Sequence, residues 1–483
     1  MQSKSRCLSP IKRLVLEDCA ATRNEIAMSF SAGELRISKS YRYSSVDFED
    51  LKARYGNELV QRVCFHVMAL EAIPLMSLLP EELDLGPFAP FHTTRFENLW
   101  RLILLKAGGQ WRYENGLQDY VGPRFVSSPG TAAFTPSPGQ SGRTEALCFC
   151  GGGKDSLAML KLLESAGVAF SAYSYSHPAY GGAKPQLDLV QSLLDSTTPV
   201  ERQQAEIEDD FARDANYRTL GIASPVCAET PISIFGALPL ALQHGYECLV
   251  LGNERSADQP NLYWDRAGEF INHQWGKSLE AELLLGEYIR DQLVANVHCF
   301  SVLRPMHDPV IFHMLRRYPE AVIRTHSCNH KKPWCRQCVK CAYVGLGFTA
   351  YLPADVICQM VPSDLFDNPT NQVFFRELLG LADHRPFECV GLPDETRLAF
   401  EVCRSKGLRG RAIDLYGEEA RSDDLARVAQ VYSEIDLRSH SIPAPLWRCV
   451  SPILVKAGQE SFEYLVSICG FDRKFAHLSG ARM

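Results

Sequence analysis

The sequence predicts an α/β protein built on a doubly wound parallel sheet, with an α+β domain ahead of it and a helical region behind it. Three observations carry this expectation. An apolar run at 146–150 stops in Gly151-Gly152-Gly153 and restarts as a helical pattern from Leu157. Strand-like and helix-like segments then alternate to residue 293, the order that gives parallel strands with helices on both faces. Beyond residue 354 only amphipathic helical segments remain. The expected division is an N-terminal α+β domain at 1–126, a linker or mobile loop at 127–143, the sheet domain with a cysteine cluster at 144–353, and a helical domain at 354–483.

A chain of 483 residues is long enough for two or three domains and a substantial core. It carries 50 basic and 57 acidic residues, a net charge of −7, whereas a nucleic-acid binder carries a basic face. The 17 cysteines are odd in number and scattered, the usage of a reducing cytosol. No uninterrupted apolar run approaches the ~20 residues of a spanning helix. The basic first residues soon meet Glu17 and Asp18 without an apolar h-region. The expectation is a cytoplasmic protein without a membrane partner, and nothing in the pattern specifies an oligomeric state.

In chain order, alternation at 25–43, as in Leu35, Ile37 and Tyr41, predicts short strands. Residues 48–79 place Leu51, Tyr55, Leu59, Val63 and Val67 at helical spacing, and a second helix covers 94–106. Cys64, His66 and His92 lack any ligand spacing and read as core or surface residues. Residues 127–143, rich in Ser, Pro, Gly and Thr, have no period and read as a linker. Strands follow at 168–176, 200–207 and 247–251, with helices at 185–194, 232–244 and 279–293. A buried helix is expected at 342–352, and the C-terminal helices at 371–382, 395–406, 423–437 and 444–455. Phe374, Phe375, Leu378 and Leu379 form an apolar face that reads as core.

Chemistry concentrates after the strands, where ligands of open α/β sheets sit. A strand that ends in glycines and resumes as a helix points bare N–H groups and a positive dipole end at one spot, which suits phosphate. Lys154 adds a mobile cation, Asp155 can hold magnesium or cap the helix, and Ser156 adds a hydroxyl. The Walker A spacing is absent, and an ordinary glycine turn opening a helix is the plainer alternative. Gly252-Asn253-Glu254-Arg255-Ser256 follows the strand at 247–251 and offers a carboxylate and a guanidinium. Asn272-His273-Gln274-Trp275-Gly276-Lys277-Ser278 opens the helix at 279–293 with an imidazole, amides and an ammonium. Each of these two alone reads equally well as a capped loop.

Cys328, Cys335, Cys338 and Cys341 follow C-x6-C-x2-C-x2-C, with His326, Asn329 and His330 beside the first. Four thiolates at this spacing can surround one tetrahedral Zn²⁺. An iron–sulfur cluster is the second reading and metal-free buried or catalytic thiols the third.

The GGGKDS loop resembles the SGGKDS loop of the PP-loop ATP pyrophosphatase superfamily, enzymes on a HUP-like sheet that cleave ATP to AMP and pyrophosphate. Gly151 stands where that family has serine. The order GGGKDS, GNERS, NHQWGKS, FSVLRP, then SCN with WCRQCVKC resembles the ATP-dependent UDP-N-acetylmuramoyl-L-alanyl-L-glutamate epimerase family over residues 146–352. The four-cysteine ending is also similar to that of the 7-cyano-7-deazaguanine synthases, which are shorter and lack NHQ-x-x-KS.

The epimerase resemblance implies a small-molecule UDP-sugar peptide, or another peptide carboxylate, as substrate, with ATP and Mg²⁺; Zn²⁺ on the cysteines is the first reading of their spacing and of the likeness to the deazaguanine synthases. It implies that Gly151, Gly152, Gly153, Lys154, Ser156 and Asn253 hold the nucleotide, with Asp155 and Glu254 on Mg²⁺. Arg255 or Lys277 would neutralise phosphate or carboxylate. His273 is the first candidate for proton transfer, with His326 and Cys227 behind it. Arg404, Lys406, Arg409 and Arg411 read as a solvated face, with an anionic UDP-sugar as a second use. Two other readings stand beside this one: another PP-loop AMP-forming enzyme, either a peptide epimerase of secondary metabolism or a nucleobase- or tRNA-modifying ligase, and a non-catalytic nucleotide- and metal-binding scaffold.

Overall fold

The computed structural model describes residues 11–131, 134–139, 145–422 and 424–471. Twelve strands are present among them: β1 (Arg13–Thr22), β2 (Glu25–Ala32), β3 (Leu35–Tyr43), β4 (Glu82–Asp84), β5 (Arg124–Phe125), β6 (Ala146–Phe149), β7 (Phe170–Ser176), β8 (Arg202–Asp209), β9 (Cys248–Leu251), β10 (Leu262–Trp264), β11 (Glu269–Ile271) and β12 (His298–Ser301). Ten of them form one sheet in the order β12-β9-β6-β7-β8-β3-β2-β1-β4-β5, while β10 and β11 pair as a separate hairpin.

From β12 to β8 every neighbouring pair is parallel. Chain order reverses between β6 and β9, which makes the space beyond their carboxyl ends the switch point where such sheets hold ligands. The side-chain period of two feeds both faces. Leu147, Leu249 and Cys299 enter the core shared with the N-terminal region, and their neighbours Cys148, Val250 and Phe300 enter the core covered by the C-terminal helices.

The antiparallel strands β1, β2 and β3 are not a separate layer. β3 pairs with β8, Tyr41 opposite Ile207, so one sheet runs from the N-terminal region into the parallel strands. The expected boundary near residues 126–144 therefore crosses a continuous sheet. Of the expected linker, 132–133 and 140–143 lie outside the described residues; Gly130 bridges to Thr93 and Ser137 to Val294.

The helical pattern at 48–79 divides at Gly56, whose φ of +83° is open to glycine, into α1 (Phe48–Tyr55) and α2 (Asn57–Glu71). The run Asn57–Leu78 has the length and apolarity of a membrane span, yet 89% of that window is buried inside the protein. It is the core helix of the N-terminal face. His66 on α2 bonds the Arg62 carbonyl and the Tyr288 hydroxyl, and burial lowers its pKa to about 4. His92 meets Ser127 and Glu97, so both histidines are core residues with partners.

At the junction of β3, β8 and α2, buried Lys39 places its ammonium 2.7 Å from Glu71 and 2.9 Å from Asp209. The Tyr41 hydroxyl donates to Glu71 at 2.5 Å. Around the switch point stand α3 (Lys154–Ser165), α4 (Leu279–Gln292), α5 (Asp308–Leu315) and α6 (Val339–Tyr351). The C-terminal region supplies α7 (Pro369–Leu378), α8 (Pro393–Ser405), α9 (Leu425–Ser433) and α10 (Ala444–Cys469), which cover the second core.

Candidate functional site

A cleft of about 1330 Å³ opens over the carboxyl ends of β6, β7 and β9. Its lining includes Gly151, Gly153, Asp155 and Ser156 from the glycine loop, and Gly252 and Asn253 from the loop after β9. Lys277, His326, Ser327, Lys332, Lys340 and Cys389 also line it. Four stretches that the sequence analysis singled out thus meet here: the glycine loop, GNERS, NHQWGKS and the segment leading into the cysteine cluster.

The loop is shaped by its partners. Gly152 has φ +80°, and a Cβ there would stand 2.0 Å from Nε2 of His326, whose ring lies directly against it. The His326 amide donates to the Gly152 carbonyl at 2.9 Å, so the backbone at 326 and the loop are tied together. The amide of Lys154 donates to the Ser327 hydroxyl at 3.2 Å, and the amide of Gly151 to the Ser156 hydroxyl at 3.1 Å. At Gly151 a Cβ would meet open space, so serine would fit where this chain has glycine. His326 is 2% exposed, and neither ring nitrogen has a hydrogen-bond partner. Burial, reinforced by Lys332, lowers its pKa to about 4 and keeps it neutral.

Three expected residues stand elsewhere than anticipated. Lys154 is not a mobile cation in the cleft: it is buried, with its ammonium 2.5 Å from both Asp155 and Asp308. Burial opposes its charge, but those carboxylates hold its pKa well above the usual range. Asp308 also accepts from the Tyr343 hydroxyl at 2.6 Å, and its amide donates to Glu395 at 2.9 Å, which ties α8 to the back of the loop. Arg255 reaches Asp436 at 3.3 Å, outside the cleft lining. Glu254 is buried behind the lining, its carbonyl bonded by Arg304 at 3.0 Å. Arg304, wholly buried, also bonds the Lys277 carbonyl and so holds two loops at one centre.

His273 likewise does not line the cleft. Its Nδ1 lies 2.5 Å from Gln110, and it sits behind Cys389, which the sequence analysis missed. Lys277 donates to the Cys389 sulfur at 3.3 Å. Burial would push the Cys389 thiol up, but Lys277, His273 and Lys340 outweigh it and lower its pKa to about 7. A lone cysteine in Phe387-Glu388-Cys389 carries no spacing signal; only the fold brings it to Lys277.

Past Tyr173, Tyr175, Tyr180 and Glu229 the cleft adjoins a second cavity of about 870 Å³, which Cys227 lines. The Tyr173 hydroxyl is buried between the two cavities and has no hydrogen-bond partner.

The four clustered cysteines gather with all sulfurs within 4.8 Å of one another. Cys328 and Cys338 stand 3.9 Å apart, and Cys335 and Cys341 3.8 Å. Sulfurs each about 2.3 Å from one tetrahedral ion stand roughly 3.8 Å apart. Backbone amides of His330 and Lys331 donate to Cys328, that of Gln337 to Cys335 and that of Cys341 to Cys338, all at 3.4 Å. Such donors stabilise thiolates.

Comparison with known proteins sets likenesses beside this geometry. The model of the MurL N-terminal domain matches residues 221–302, and that of the MurL C-terminal domain matches residues 323–426. Both matches are to MurL. The MurL-like segments hold GNERS, NHQWGKS, the cysteine cluster, Cys227 and Cys389. A protein of Salinispora tropica named UDP-N-acetyl-alpha-D-muramoyl-L-alanyl-L-glutamate epimerase is 30% identical over 312 residues, 62% of this chain and 64% of its own length. Proteins of the same name from Xanthomonas oryzae pv. oryzae and a Micromonospora species are 29% and 30% identical, over 63% and 53% of this chain and 66% and 56% of their own lengths. The chain thus spans less than two thirds of the length of these relatives.

Proposed function

We propose that this chain is an ATP-dependent epimerase of the isomerase class that inverts the terminal glutamate of UDP-N-acetylmuramoyl-L-alanyl-L-glutamate and releases AMP and pyrophosphate. The observation that carries the reading is the glycine loop at the switch point sharing one cleft with Lys277 and the segment beside the cysteine cluster. The names of the relatives supply the substrate. On this reading the product is a D-glutamate precursor of cell-wall peptidoglycan, made in the cytoplasm.

An α-proton beside a carboxylate is held tightly, because its removal would place a second negative charge next to the first. Transfer of AMP to that carboxylate cancels its charge and turns the carbonyl into an electron sink. The glycine loop, Ser156 and Asn253 hold the nucleotide in this scheme, and Lys277, Lys332 and Lys340 supply the positive charge that phosphate and carboxylate require. Mg²⁺ on Asp155 would neutralise phosphate oxygens. Lys154 acts behind the loop, where it fixes Asp155 between itself and the cleft.

Zn²⁺ fits the four cysteines better than an iron–sulfur cluster, which interposes several atoms and spreads its thiolates wider. Its role is to brace 326–341, the segment that carries His326, Ser327, Lys332 and Lys340. Purified protein is expected to contain one zinc per chain by elemental analysis and to lack the visible absorption of an iron–sulfur cluster. Cys338→Ser is expected to lose that zinc and several kcal/mol of stability, a fraction of the ~10–16 kcal/mol with which structural zinc binds small domains. A metal-free protein of full stability would end this assignment.

The direct test supplies Mg·ATP and the UDP-sugar dipeptide in D₂O and follows AMP and deuterium at the glutamate α-carbon. The expected result is AMP, α-deuteration and D-glutamate on hydrolysis. ATP binding with none of these products would remove this substrate.

A further inference from the structure

We propose that Cys389 and Cys227 are the two proton-transfer groups of the epimerisation, Cys389 taking the α-proton and Cys227 returning one from the opposite face. This rests on the epimerase reading and assigns the step that reading leaves open.

The geometry selects these two thiols over the histidines. Cys389 lines the cleft that holds the glycine loop, and Lys277 bonds its sulfur at 3.3 Å. His273, Glu388 and Cys389 bring one side-chain atom each within 4.8 Å of the others, so the thiol sits in a polar knot whose open side is the cleft. An ammonium on the sulfur stabilises thiolate and leaves less reason for a second cation there. His273 is bonded to Gln110 and stands behind the thiol, which makes it a positioning residue. His326 lines the cleft but lies against Gly152 in the glycine loop, and nothing bonds its ring nitrogens to activate them as Lys277 does the Cys389 sulfur.

Cys227 lines the adjoining cavity and is exposed to it, on the far side of Glu229 and Tyr180. The two thiols lie close enough for each to feel the other's charge, and Tyr180 feels both. Protein surrounding its cavity and the carboxylate of Glu229 push the Cys227 thiol up, so it stays protonated when Cys389 is half thiolate. Environments that drive two like groups apart assign base and acid. Between them stands the buried, unpartnered hydroxyl of Tyr173, a donor that lines both cavities and lacks anything to bond.

The step balances. The α C–H bond breaks, an S–H bond forms on Cys389, and the electron pair enters the carbonyl of the adenylated substrate to give a planar enolate. The Cys227 S–H bond then breaks, a new C–H bond forms on the other face, and Cys227 is left as thiolate. Water releases AMP, and proton exchange with solvent through the cavities restores both sulfurs.

The test separates hydrogen exchange from inversion, in D₂O with Mg·ATP. Cys227→Ala is expected to exchange the α-proton of the L-glutamyl substrate with retention while inversion falls ~10²-fold or more. Cys389→Ala is expected to lose both from the L-form yet keep releasing AMP and exchanging the D-form. Wild type that inverts, with Cys389→Ala inverting within a few-fold of it, would overturn the thiol pair alone; wild type with neither AMP nor exchange would overturn the epimerase reading. Alkylation by iodoacetamide gives a readout besides activity. Cys389, faced by Lys277, Lys340, His273, Glu388 and Cys227, is expected to react with a midpoint near pH 7 that moves up in Lys277→Met. Reaction of Cys389 no faster than that of exposed Cys358 would also overturn the pair.

Discussion

Gly152→Ala is expected to abolish AMP formation, with a loss of ~10²-fold or more in turnover. Two independent costs act on one methyl group. The backbone at φ +80° is strained for any L side chain, by roughly 1–3 kcal/mol. The Cβ would also stand 2.0 Å from the ring of buried His326, whose backbone is bonded to the Gly152 carbonyl, so ring or loop must give. One of the two must move by about an ångström, and displacement on that scale costs ~10²-fold in a positioned reaction. Gly151→Ser is the matched control, since open space surrounds that Cβ and the φ there is ordinary for an L-residue; it is expected to stay within a few-fold of wild type. ATP binding by calorimetry and AMP release measured on both variants decide the matter. Full turnover by Gly152→Ala would show that the loop does not hold the nucleotide.

The second large effect falls on stability. Lys39→Met is expected to cost ~3–5 kcal/mol, because it strands the buried carboxylates of Glu71 and Asp209 without their ammonium. Burial raises the pKa of Asp209, but Lys39 more than offsets that and holds it below the usual carboxylate range. A depressed carboxylate contributes stability above its unfolded pKa, near 4, and loses it as pH falls. Wild type should therefore weaken below about pH 4 through this group, whereas the variant, in which Asp209 keeps the Phe211 and Ala212 amides but loses its ammonium, should show its full deficit at neutral pH and a shrinking one in acid. Urea denaturation at pH 7 and pH 3 measures both. Adding Glu71→Gln and Asp209→Asn to Lys39→Met should recover much of the loss; an unchanged midpoint in Lys39→Met would refute the account.

The parallel strands were legible because each is short, apolar and followed by a helical period: the expected 146–150, 168–176 and 247–251 coincide closely with β6, β7 and β9. β1 was not, since Glu17 and Asp18 interrupt its alternation, and the β10–β11 hairpin was not, since three-residue strands have no measurable period. The fusion of the two regions was invisible because β3 and β8 are more than 150 residues apart in the chain. In the site, the local signals located the loops, as the cysteine spacing located a four-sulfur group. The direction of individual side chains was not local. Lys154 turns inward because Asp308 lies 154 positions away, and Cys389 gains its ammonium from Lys277, 112 positions away.

The pairing of β3 with β8 bears on how the chain can be cut. A fragment that begins at residue 144 would keep the glycine loop and all four clustered cysteines, and would look from its sequence like a complete nucleotide-binding unit. It would also expose along β8 the row of amide and carbonyl groups that β3 now occupies, from Ala205 to Asp209. A bare strand edge recruits other strands, and a second copy of the same fragment offers one. Such a fragment would self-associate through β8, with Asp209 buried in the seam without its lysine.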